Sequence, residues 1–94
     1  MSPEQIIIEP VLTEKTNALR EQGQYVFRVD LRANKVQIKN AVRELFGVHP
    51  VRCNVETVKG KPKRARFRRG YTASWKKATV TIAAGESISA FEGV

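Results

Sequence analysis

Nineteen consecutive residues, "KGKPKRARFRRGYTASWKK" (59 to 77), hold nine Lys and Arg and no acid. Nothing in "GKPKRARFRRG" has a helical or strand period that would bury it, so whatever core the chain builds must be built on either side. The rest of the 94 residues holds eight bases and nine acids, so the net charge of +8 is the property of this one segment. No acid occurs between Glu56 and Glu86. A solvated surface mixes signs. Self-repulsion of this kind calls for a polyanion.

The flanks carry the folding signals. "IIIEPV" (6 to 11) is β-branched and stopped by Pro10, which predicts an edge strand. In "LTEKTNALREQG", Thr13 is the cap of a helix, Glu14 suits the positive end of its dipole and Gly23 is a stop. "QYVFRVD" (24 to 30) alternates, with Tyr25, Phe27 and Val29 on one face. "ANKVQIKNAVRELFG" places Ile38, Ala41, Val42, Leu45 and Phe46 on one helical stripe, with Asn34 as cap, Gln37 completing a capping box and Gly47 as stop. "VRCNVETV" (51 to 58) puts Val51, Cys53 and Val55 inward, and "KKATVTIA" (76 to 83) puts Ala78, Val80 and Ile82 inward.

Strand, helix, strand, helix, strand, long loop, strand is an α+β order: an open, mostly antiparallel sheet with helices packed on it. Residues 1–94 form one domain. The basic loop, about 59–75, joins the last two strands through about 17 residues where hairpins use two to five, and it reaches ~25 Å out and back.

Chemistry at a catalytic or metal site has little to stand on. Cys53 is the single cysteine and His49 the single histidine; no disulfide, metal-ligand spacing or nucleophile and base pair follows, and no cofactor is expected. The start, "MSPEQIIIEP", lacks the basic region of a signal peptide, and no apolar run approaches the roughly 18 residues of a membrane span. The expectation is a soluble, cytoplasmic non-enzyme that does not insert in membranes.

Among polyanions, nucleic acid fits best. Lys59, Lys61, Lys63, Arg64, Arg66, Arg68, Arg69, Lys76 and Lys77 are there to neutralise phosphates, and Phe67, Tyr71 and Trp75 offer rings for unpaired bases. A membrane surface fits less well, because Pro62 and Gly70 interrupt the segment and it has no amphipathic period. Both a permanently assembled ribonucleoprotein component and a free-standing nucleic-acid-binding module satisfy the charge pattern.

"PVLTEK" (10 to 15), "NKVQIKNAVRELFGV" (34 to 48), "VKGKPKR" (58 to 64) and "SWKKATVTI" (74 to 82) occur in the order and spacing of one family. The chain resembles bacterial large-subunit ribosomal protein twenty-three. The resemblance implies a four-stranded antiparallel sheet in the order 1-2-4-3, with the long basic loop between its last two strands. It further implies a structural role in the large ribosomal subunit, binding ribosomal RNA beside the polypeptide exit tunnel among neighbouring ribosomal proteins. It makes the face near Leu12 and Glu14 a dock for the ribosome-associated chaperone of trigger-factor type and for signal-recognition particle. Arg66 stands where that family usually has glycine, and Gly47 where it often has an acid.

Overall fold

The alternating stretches and the amphipathic helix converge on one sheet. The computed structural model describes residues 1–59, 62–65, 68–71 and 74–88. Its elements are α1 (Pro3–Ile6), β1 (Ile7–Pro10), α2 (Glu14–Glu21), β2 (Gln24–Val29), α3 (Lys35–Phe46), β3 (Pro50–Val58), β4 (Pro62–Ala65), β5 (Arg68–Tyr71) and β6 (Trp75–Ile82). Four strands pair antiparallel in the order β1-β2-β6-β3, with the last strand of the chain between β2 and β3. This is the α+β arrangement and the 1-2-4-3 order expected.

Helix boundaries follow from local hydrogen bonding. The Asn34 carboxamide oxygen accepts from the Gln37 amide at 2.8 Å, and the Gln37 side chain accepts from the Asn34 amide at 3.0 Å, a reciprocal cap for α3. At the other end Gly47 takes φ +67°, where a side chain is strained, and its N–H donates to the Arg43 carbonyl at 2.9 Å. Thr13 caps α2 in the same reciprocal way with Thr16. One helix was not expected: α1 is a single turn, held by the Ser2 amide on the Gln5 side chain at 2.9 Å. Four residues are too few to show a period, and "IIIE" at its end reads as strand.

Tyr25, Phe27, Val29, Ala78, Val80, Ile82 and Cys53 meet Ile38, Ala41 and Val42 of α3 in one buried core. Leu45 and Phe46 complete the helical stripe but are only partly buried. The Phe46 ring stacks on Phe27 at 5.6 Å between centroids. Ile88, beyond the last strand, is fully buried, and its amide donates to the Tyr25 hydroxyl at 3.3 Å.

Strict alternation fails at two edges, each time by one residue. Pro50 pairs with Ile82 and Arg52 with Thr81, so Val51 is an extra residue on β3 and stands 61% exposed, while Pro50 is buried. The expected inward set of Val51, Cys53 and Val55 loses its first member to this bulge. A matching irregularity between Ile7 and Glu9 leaves Ile8 52% exposed on β1.

The basic segment also differs from the expected plain loop. Its backbone pairs β4 with β5 as a separate two-stranded ribbon, Pro62 opposite Tyr71 through Ala65 opposite Arg68. Val58 and Trp75 are themselves cross-strand partners. A chain leaving and returning at one such pair runs antiparallel to itself, and its amides find partners across the gap. Side-chain alternation reports burial, not backbone pairing, which is why the sequence gives no sign of this ribbon.

Candidate nucleic-acid interface

The ribbon lies in the chain between β3 and β6, the edge strand and its neighbour. Its register sets Arg64 opposite Arg69 and Lys63 opposite Gly70. Like charges directly opposite destabilise a two-stranded pair, which is marginal in water even without them. Of the sequence candidates, Lys63, Arg64, Arg68, Arg69 and Tyr71 fall on these strands, and Lys59 is exposed at the end of β3. Lys61, Arg66 and Phe67 lie outside the described residues.

The three candidates on β6 separate into different roles. Lys76 takes the core face, and its ammonium donates to the Ala33 carbonyl at 2.5 Å, with Leu31 at 3.5 Å. It ties the root of the segment to the turn before α3. Lys77 takes the outer face, 3.7 Å from Glu56 on β3. On the other side of the same row, Arg28 on β2 lies 3.6 Å from Glu9 on β1. The outer face thus carries an acid, two bases and an acid across four strands. Both pairs are largely solvated and worth little individually.

Trp75 is half-buried, and its ring lies in a groove with Glu9, Pro10, Val11, Leu12 and Arg28. Leu12 is 39% exposed there. The charge and ring pattern pointed Trp75 to RNA and the family resemblance pointed Leu12 to a protein partner; the fold brings both to one groove. Glu14 is exposed in the first turn of α2 and does not line this groove. Arg28 was missed; its outward register in the alternating stretch 24–30 was the available signal.

Two carboxylates bind across loops. Arg32 donates through its amide and side chain to Asp30, at 2.8 and 3.1 Å on one carboxylate oxygen, and this holds the Asp30 carboxyl below its ordinary range. Glu86 accepts from the His49 amide at 2.8 Å and lies 2.8 Å from its ring Nδ1, with the same effect on its carboxyl. His49 is therefore a clasp to the segment after β6, a role that no local pattern around it announces. Burial pushes the Cys53 thiol up, away from reactivity. No group of three or more His, Cys, Asp or Glu that would hold a metal occurs among the described residues.

The family model for ribosomal protein L23 matches residues 5–90. The chain belongs to the ribosomal protein L23 family. It is 59% identical over 88 residues to the large ribosomal subunit protein uL23 of Treponema denticola, covering 94% of both chains. With uL23 of Treponema pallidum it shares 60% over 87 residues, 93% of each, and with that of Herpetosiphon aurantiacus 50% over 96 residues, 98% of each. Membership makes this chain a structural constituent of the large ribosomal subunit, active in translation and not an enzyme. No described helix is long and apolar enough to cross a membrane.

Proposed function

We propose that this L23-family protein binds large-subunit ribosomal RNA beside the polypeptide exit tunnel through its basic segment, while the sheet and helices hold that segment in place. One observation carries the reading. A stretch with no acid from 57 to 85 leaves the sheet at a single cross-strand pair and folds back as a ribbon with Arg64 opposite Arg69. Such a ribbon gains stability from polyphosphate between and around its strands. Lys59, Lys61, Lys63, Arg64, Arg66, Arg68, Arg69 and Lys77 supply the charge, and Phe67, Tyr71 and Trp75 the stacking surfaces. Lys76 positions the root instead, through its bonds to the Ala33 and Leu31 carbonyls.

The same protein serves nascent-chain factors at Leu12 and Glu14. Leu12 offers an apolar contact beside Trp75, and Glu14 an exposed carboxylate in the first turn of a capped helix. A chaperone of trigger-factor type and signal-recognition particle are the partners proposed, with the ribosome in the cytoplasm as the setting.

Salt dependence of binding to isolated ribosomal RNA tests the first part. Six to nine phosphate contacts give a slope of log affinity on log salt of about −4 to −8. Replacing residues 59–74 with Asn-Gly is expected to remove most of it, and an unchanged slope refutes the reading. For the second part, Glu14→Ala in assembled ribosomes is expected to weaken chaperone binding and leave subunit assembly intact; normal chaperone affinity refutes it.

A further inference from the structure

The amphipathic helix α3 has two flanks beside its buried stripe, and they differ in what covers them. On one flank α1 packs, and Pro3 and Ile6 line a shallow groove with Gln37, Asn40, Ala41 and Glu44. The opposite flank carries Lys35, Lys39 and Arg43. Their spacing of four residues keeps them on one line, about 12 Å long at 1.5 Å per residue. Lys35 and Arg43 are exposed, and none of the three joins an ion pair among the described residues. This flank is turned away from α1, and α3 itself packs on β3. Strand β3 is the sheet's edge, with no described strand on its far side.

The line of cations starts where the basic segment is rooted. Lys76, which follows Trp75, reaches the Ala33 carbonyl immediately before the Asn34 cap. Lys76 thus sets the N-terminal end of the α3 row beside the root of the basic segment. A regular row of cations one helical turn apart, on a helix packed against an edge strand, matches a run of phosphates. Discrete acids on a protein partner would not need that regularity.

We propose that Lys35, Lys39 and Arg43, together with the free edge of β3, form a second contact for the phosphate backbone of the ribosomal RNA. It rests on the RNA reading above and extends it. A ribbon alone anchors the protein at one place; a row on the rigid body fixes its angle, which is what phosphate contacts do in recognition.

The test uses the full chain and isolated large-subunit ribosomal RNA, comparing salt slopes for K35Q/K39Q/R43Q, for a ribbon variant K61Q/K63Q/R64Q/R68Q/R69Q, and for both together. The α3 variant is expected to lower the slope by about 2 to 3 units, as three lost phosphate contacts require, independently of the ribbon variant. An α3 variant with the original slope beside a flattened ribbon variant overturns this proposal and leaves the RNA reading standing. Original slopes in every variant overturn both. An original slope with failed incorporation into subunits assigns the row to an acidic protein neighbour and overturns the proposal too. The conservative variant K35R/K39R/R43K is expected to keep the slope; if it loses as much as the Gln variant, charge is not the cause and the proposal fails.

Discussion

At the scale of residues, two stacked rings have unequal weight. Phe27 is fully buried between the sheet and α3, whereas Phe46 at the end of the helix is half-buried. Phe27→Ala is expected to cost about 3 to 5 kcal/mol, and Phe46→Ala about 1.5 to 3, because less apolar surface leaves water at Phe46. Urea unfolding at constant m checks both; equal losses would mean that Phe46 is as well enclosed as its partner. The helical period placed Phe46 on the correct face. How far along that face the core extends depends on where the sheet stops beneath the helix, which no period records.

At the scale of elements, the stretch after β6 is held by polar contacts at one point and apolar ones at another. Glu86 binds His49 ahead of β3, and Ile88 fills the core beside Tyr25. The Glu86 carboxyl titrates below its ordinary range when folded, and so does Asp30 beside Arg32. The unfolded chain therefore binds more protons in acid. Their contribution is fully present above the ordinary carboxylate range and is lost as pH falls through the lower folded values, from about pH 4 downward. Thermal unfolding of Glu86→Gln against the parent is expected to show a difference at pH 6 that narrows toward pH 3. A gap that stays constant over that range would show that Glu86 does not act through its charge.

At the scale of the whole molecule, anchoring and RNA contact are divided between parts. The buried core described above is drawn from residues 6–53 and 78–88. Joining Val58 to Trp75 through Asn-Gly keeps a pair already in register and uses a turn suited to strand twist. The shortened protein is expected to unfold cooperatively with a Tm within a few degrees of the parent, roughly what a 1 kcal/mol change produces in a domain this size. Melting as early as Phe27→Ala would mean that the segment supports the core.

What the sequence determined alone was whatever depends on neighbours along the chain. Asn34 with Gln37, Thr13, Gly23 and Gly47 mark helix ends through hydrogen bonds three or four residues long, and period two exposes the inward faces of β2 and β6. The concentration of charge in 59–77 was equally legible, because it is a count. The tertiary structure decided what depends on partners distant in sequence. Val51 and Ile8 point outward because each strand must accommodate one more residue than the neighbour it pairs with. The ribbon forms because both ends of the segment leave from one cross-strand pair. Trp75 meets Leu12, and Lys76 caps a distant turn, only because β6 lies between β2 and β3. Each of these is set by register and closure across the sheet, and register is a relation between segments that no single segment contains.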